Sequence, residues 1–272
     1  MQKLPLVVLL SFTSVPVWAD LRMINANSQY QFELSGWYGE DNDLYPEPAQ
    51  TYGVKGTYYF TPVWQSDHPY AEAAFLERAS SVSLSARRWD DSDQYPCGLD
   101  ATGLCHNEYL EDKILLTGSW YSAGWLFVET TYFYEQTDNR WRDDREASFD
   151  RNSWSAQIGI TPLAGLRVST GYSEENDLGE NDWNVEAKYV ASLSDTQAIN
   201  VELAYEYAED DEWMLAGDYY LTQAFSIGGG LATNDDYLWR SRYFVTDFIS
   251  VDVSYYEYED GDAYQVRVST RF

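Results

Sequence analysis

The sequence predicts an all-β protein: a transmembrane antiparallel up-and-down β-barrel of about fourteen strands, with twelve and sixteen as the neighbouring counts. Three observations carry this expectation. The last nine residues put Tyr264, Val266, Val268, Thr270 and Phe272 on one face and Gln265, Arg267, Ser269 and Arg271 on the other, the period-two pattern of a strand between two unlike environments. The same alternation recurs along the rest of the chain. The chain also holds 24 Tyr, 11 Trp and 11 Phe, yet its formal net charge is −28 and its mean hydropathy is negative. A barrel hides its apolar residues in an alternating pattern and gathers aromatic residues at the two membrane interfaces, so it looks hydrophilic on average.

Met1 to Ala19 has the layout of a secretory signal peptide: Lys3 as the positive start, a largely apolar run from Leu4 to Val17, and Val17-Trp18-Ala19 as a cleavage site before Asp20. Its apolar run from Leu4 to Phe12 is too short for a spanning helix, and Pro16 interrupts any extension of it. Residues 20–272 contain no linker or shift of composition, which predicts a single barrel domain.

The strands are expected in the following order. Tyr30, Phe32, Leu34, Gly36 and Tyr38 share one face of the first; Tyr52, Val54, Gly56, Tyr58 and Phe60 share one face of the second, which is expected to end at Thr61-Pro62. Strands are expected near 80–89 and 110–120. Leu126, Val128, Thr130, Tyr132 and Tyr134 mark the next, and Trp154, Ala156, Ile158 and Ile160 lead to a Thr161-Pro162 turn. Leu166 to Tyr172, Trp183 to Tyr189, Ile199 to Tyr207, Trp213 to Tyr219, Phe225 to Leu231, Tyr237 to Val245 and Ile249 to Tyr255 repeat the alternation before the terminal strand.

Connections fall into two alternating classes. After even strands they are short, as at 122–124, 162–165, 193–197 and 246–247, although the first of this class, 61–69, is longer. After odd strands they are acidic. The segments 40–50, 90–109, 135–151, 174–182, 209–212, 235–236 and 257–262 contain 30 of the 45 Asp and Glu residues. Short periplasmic turns and long extracellular loops are the layout of an outer-membrane barrel. A soluble β-sandwich would share the alternation but has no reason for two classes of loop or for a terminal Phe. An even strand count places both termini on the periplasmic side, where Phe272 resembles the C-terminal signal read by the barrel-assembly machinery.

The stretch Tyr52 to Val63, continuing into Pro69-Tyr70-Ala71-Glu72-Ala73-Ala74-Phe75-Leu76-Glu77-Arg78-Ala79-Ser80-Ser81-Val82, resembles a porin family of Gram-negative, gammaproteobacterial outer-membrane β-barrel proteins, with Ala-Glu-Ala-Ala-Phe-Leu as the specific part. The resemblance implies passive transport of small hydrophilic solutes or ions across the outer membrane, and no catalytic residues.

Positions opposite the apolar face are the predicted pore lining: Lys55, Lys113, Glu129, Arg167, Glu186, Lys188, Glu202, Asp218, Arg240, Arg242, Arg267 and Arg271, joined by Glu111 and Asp252. Their mixed sign leaves two interiors open, a narrow aqueous channel or a salt-bridged plug. The acidic loops favour cations at the mouth, whereas Arg240, Arg242, Arg267 and Arg271, closing near Lys55, could form a basic ladder that reverses the preference. Cys97 and Cys105 bracket a polar segment and, in an oxidising compartment, most simply pair as a disulfide; metal binding with His106 lacks a fourth ligand. No other metal site and no cofactor is expected. An acidic chain excludes a nucleic-acid partner. The expected partners are outer-membrane lipid, lipopolysaccharide, the assembly machinery and small solutes, with the barrel a monomer. Two other functions stay open: a surface binding or adhesion protein acting through the acidic loops, and an outer-membrane enzyme. Against the enzyme, His68 and His106 lie in connections of opposite class, and neither has a recognisable nucleophile spacing.

Overall fold

The computed structural model describes residues 28–42, 48–65, 68–97, 103–122, 125–140, 146–174, 182–207, 211–258 and 261–272. These form fourteen strands: β1 (Gln29–Asn42), β2 (Ala49–Trp64), β3 (Ser81–Cys97), β4 (Gly103–Ser122), β5 (Leu126–Arg140), β6 (Glu146–Leu163), β7 (Leu166–Ser173), β8 (Asp182–Ser192), β9 (Ala198–Tyr207), β10 (Glu212–Thr222), β11 (Phe225–Ala232), β12 (Tyr237–Thr246), β13 (Ile249–Tyr258) and β14 (Gly261–Arg271). Each pairs antiparallel with its sequence neighbours, and β1 pairs with β14, so the sheet closes on itself. Closure removes the unpaired strand edges that a hydrocarbon environment would penalise by several kcal/mol per group.

Phe272 takes part in that seam. Its backbone N–H donates to Phe32 O at 2.8 Å, its carbonyl accepts from Gln31 N at 2.6 Å, and its ring lies 6.2 Å from that of Phe32. The alternating residues sort as the period requires. Val201, Leu203 and Tyr205 of β9 are exposed on the outer surface, while Asn200, near the start of the strand, is buried inward.

The structure revises four details of the sequence reading. A bulge between Tyr30 and Phe32 turns Tyr30 inward, against Tyr59 and beside Val63, Ala73 and Ala79, instead of onto the outer face with Phe32. The strands expected to end at Thr61-Pro62 and Thr161-Pro162 run past those pairs, β2 to Trp64 and β6 to Leu163. The acidic segments 90–109 and 135–151 are largely strand rather than loop. Asp90, Asp91, Asp93, Glu108, Glu135, Asp138, Glu146 and Asp150 all sit on the tall hairpins β3–β4 and β5–β6. Cross-strand pairs hold these hairpins, as Arg88 with Asp112 and Arg140 with Glu108 and Glu146. Finally, the connection from β2 to β3 is not a turn. It contains a 3-10 turn (Tyr70–Glu72) running into a helical turn α1 (Ala73–Leu76), which ends on Arg78 at a left-handed φ of 52°.

Residues 1–27 and 98–102 lie outside the described residues, as do the side chains of Cys97, Cys105 and His106, so the signal peptide and the disulfide fall there as well. The backbone register sets Cys97 opposite Gly103 and Cys105 opposite Tyr95.

Candidate pore and the segment that crosses it

The β2–β3 connection folds into the barrel at the rim shared by the short turns and the C-terminus. Gln65, fully buried, donates its amide to Asp247 O at 3.2 Å. Tyr70 N donates to Gln223 O at 2.8 Å, and Arg271 donates to Tyr70 O at 2.8 Å. Burial, aided by the nearby Asp247 carboxylate, raises the Tyr70 phenol above its ordinary pKa. Glu72, only 5% exposed, accepts a hydrogen bond from Tyr220 at 2.6 Å and pairs with Lys188 at 2.9 Å. Phe75 lies beneath both Lys188 and Arg167, while Arg78 donates to Thr161 O and Leu163 O. One short segment thus reaches walls from β6 round to β14 and obstructs that end of the interior. The anchoring carboxylate of Glu72 lies inside the Ala-Glu-Ala-Ala-Phe-Leu stretch.

Beyond this segment the interior has two unlike sides. On β8 to β13, ion pairs fill it. Lys188 binds Glu202 at 3.0 Å, Arg240 grips Asp218 through Nε and Nη2 at 2.8 and 2.5 Å and reaches Glu202 at 3.1 Å, and Asn200 donates to both Glu202 and Asp218. Arg242 pairs with Asp252, which also accepts from Ser250. The Arg240–Asp218 bridge spans an intervening strand, because Gly228 of β11 lies in register with both residues. Any side chain at Gly228 would collide with the Asp218 carboxylate. A cavity of about 240 Å³ remains on this side, with Glu72, Lys188, Glu202, Asp218, Arg240 and Arg242 in its wall.

On the side formed by β13, β14 and β1 to β5, short hydroxyl side chains take over. Ser35, Thr57, Ser81, Ser83, Thr117, Ser119, Thr131, Ser250 and Ser269 wall a cavity of about 350 Å³ together with Glu33, Lys55, Glu129, Arg242, Arg267 and Arg271. Arg242 and Arg267 lie on the walls of both cavities. Arg271 pairs with Glu33 at 2.6 Å and rests on the rings of Tyr30 and Phe244. Glu129 accepts a hydrogen bond from Ser119 at 2.5 Å.

The remaining predicted positions also face inward, in separate places. Arg167 stacks on Phe127 at 4.3 Å and lies 3.9 Å from Glu186, against the crossing segment. Lys113 pairs with Glu135 at 3.5 Å and lies 4.4 Å from the Phe133 ring centre, and Glu111 pairs with Arg87 toward the opposite rim. The four arginines expected as a basic ladder are thereby divided: Arg240, Arg242 and Arg271 each hold a carboxylate. Glu72, Tyr220, Asn200, Gly228 and the hydroxyl belt escaped the sequence reading. The belt was legible in principle, since its Ser and Thr residues occupy the same inward parity as Lys55 and Glu129. The crossing of Glu72 to Lys188 was not, because it joins residues 116 positions apart through an irregular segment.

A family model described as "Putative general bacterial porin" matches the chain over residues 1–272. The chain belongs to that porin family. Its channels are not enzymes, and the present porin is accordingly an outer-membrane channel protein. Among solved structures, it is similar to the Acinetobacter baumannii outer membrane protein Omp33, with a TM-score of 0.66 and 22% identity over 90% of this chain and 99% of the other. It is also similar in fold to a deltaS2S3 mutant of the monoaromatic hydrocarbon channel TodX, with a TM-score of 0.52 and 8% identity over 90% and 91% of the two chains. No curated protein matches the porin's sequence.

Proposed function

We propose that the porin admits small hydrophilic solutes and ions by passive diffusion along the hydroxyl-walled side of its interior. The observation that carries this reading is the asymmetry of the lumen. The ion-paired side is narrowed by bridged long side chains to about 240 Å³, whereas about 350 Å³ of space lies where Ser and Thr stand in for them. Hydroxyl groups replace part of a solute's hydration shell without binding it tightly, which suits passage. The segment from Gln65 to Arg78 obstructs the rim with the short turns, so conduction requires it to yield or leaves only a narrow route beside it.

Single-channel recording in planar bilayers tests this reading. The porin should give small, discrete conductance steps, and Ser83→Leu, which pushes a bulky side chain into the hydroxyl-walled cavity, should reduce them. Steps of unchanged size in that variant would move the path elsewhere, and no steps in the parent would leave the barrel a surface anchor.

The porin's topology in the envelope rests on the same reasoning. Residues 1–19 act as the export signal, the rim with both termini faces the periplasm, and the tall acidic hairpins project outward, where their carboxylates concentrate cations and meet lipopolysaccharide. The barrel functions as a monomer, its apolar outer face covered by outer-membrane lipid. Phe272 serves as the terminal signal for the assembly machinery, as its place at the closing seam between β14 and β1 suits. Deleting it should lower the yield of heat-modifiable protein in outer membranes; an unchanged yield would remove that role.

A further inference from the structure

Resting on the channel reading above, we propose that the hydroxyl-walled cavity contains a binding site for a small carboxylate anion, held between Lys55 and Arg267. The walls of the two adjoining cavities carry the carboxylates Glu33, Glu72, Glu129, Glu202, Asp218 and Asp252. Each is engaged by the protein itself: Glu33 by Arg271, Glu72 by Lys188 and Tyr220, Glu129 by Ser119, Glu202 and Asp218 by Arg240, and Asp252 by Arg242. Of the cations on the same walls, Lys188, Arg240, Arg242 and Arg271 are consumed in these contacts. Lys55 and Arg267 form no ion pair with a carboxylate among the described residues.

Arg267 is held ready but not satisfied. Its Nη2 donates to Gln265 at 3.1 Å, its guanidinium lies 5.6 Å from the Trp37 ring, and its buried Nε has no hydrogen-bond partner among the described residues. The cross-strand neighbour that could have neutralised it, Asp252, is turned to Arg242 instead. Trp37 can lie there because the facing residue of β2 is Gly53, where any Cβ would strike the indole.

The placement of Lys55 completes the site. It faces Ser35 on β1, which in turn faces Ser269 on β14, while Trp37, one inward position further along β1, faces Arg267. The two cations therefore flank β1 from either side, two strand spacings (about 10 Å) apart laterally, with side chains long enough to converge over Ser35. A carboxylate between them would receive charge-assisted hydrogen bonds from the ammonium and the guanidinium fork. A volume of about 350 Å³ accommodates a compact organic acid with several waters, each of which takes roughly 30 Å³. The site acts within the lumen, so it works against the acidic outer rim, whose field fades once salt shortens the Debye length to about 3 Å at 1 M.

The test uses the full-length porin in liposomes with radiolabelled lactate as the carboxylate and glycerol as the neutral control. Lactate entry should saturate with concentration. The Lys55→Gln/Arg267→Gln double variant should raise the half-saturating concentration for lactate roughly tenfold or more while changing glycerol entry far less. Arg267→Lys should retain most of the parent's lactate behaviour. Lactate entry that never saturates, or that saturates identically in the double variant, would overturn the site while glycerol entry preserved the channel reading. Exclusion of both solutes by the parent would overturn the channel itself. Should the double variant assemble poorly, the single variant Lys55→Gln, at an exposed position, gives the same readout with a smaller shift.

Discussion

The two sides of this barrel share one outer surface and differ completely within. Facing lipid, Val54 and Leu84 on the hydroxyl-walled side are as apolar and exposed as Val201 and Leu203 on the ion-paired side. Facing inward, the first side presents Ser35, Thr57 and Ser83 around open space, and the second presents Arg240, Asp218 and Glu202 locked to one another. The lesson is that period-two alternation decides which way a residue faces, while the length and charge of the inward residues decide whether the interior is a filled wall or a passage.

Removing one bridging cation should have the largest effect. Arg240→Ala leaves the largely buried Asp218 without its bidentate partner and should cost about 3 kcal/mol or more, since an uncompensated buried charge loses far more than the pair contributed. Ser83→Ala, on the other side, should cost no more than about 1 kcal/mol, the ordinary net worth of one hydrogen bond. Urea unfolding of the barrel in lipid vesicles reads both, and equal losses would erase the distinction between filled wall and open side.

A second pair of substitutions tests the claim that the exterior is uniform. Val201→Arg and Val54→Arg should each cost on the order of 2–4 kcal/mol if near the bilayer midplane, whichever side they occupy. A marked difference between them in the same unfolding measurement would mean that one side is shielded from lipid, as by a second subunit.

The smallest effect lies beyond both walls, at the tip of the β3–β4 hairpin. A bond between Cys97 and Cys105 closes a short loop and is worth on the order of 2–3 kcal/mol in the chain-entropy model, most of it confined to that tip. Thiol titration of the denatured, unreduced protein should find no free cysteine, and reduction should leave global unfolding almost unmoved. Two titratable thiols per chain would dispose of the pairing.

The fold was readable to an unusual depth because a membrane barrel writes its environment into every second residue. Fourteen strands, their order, the two classes of connection and the inward set from Lys55 to Arg271 all derive from a local rule with a period of two. That rule failed where the backbone departs from it: at the bulge that turns Tyr30 inward, and in the β2–β3 connection, whose 3-10 turn and helix carry no alternation. It also misjudged the acidic segments, because charged residues on strands that rise beyond the bilayer have polar surroundings on both faces and lose the apolar mark of a strand.

From the sequence alone came the barrel, a count of about fourteen strands and, Tyr30 excepted, the residues that meet lipid, since each of those is set by a residue and its immediate neighbours. Which inward charges cancel is a matter of how the closed barrel packs. Arg240 reaches Asp218 across the bare backbone of Gly228, Glu72 reaches Lys188 across the lumen, and Lys55 and Arg267 are left without an acid among the described residues. These outcomes depend on closure, which brings β14 beside β1 and lets long side chains from distant strands compete for the same partners, and competition of that kind has no period in the chain.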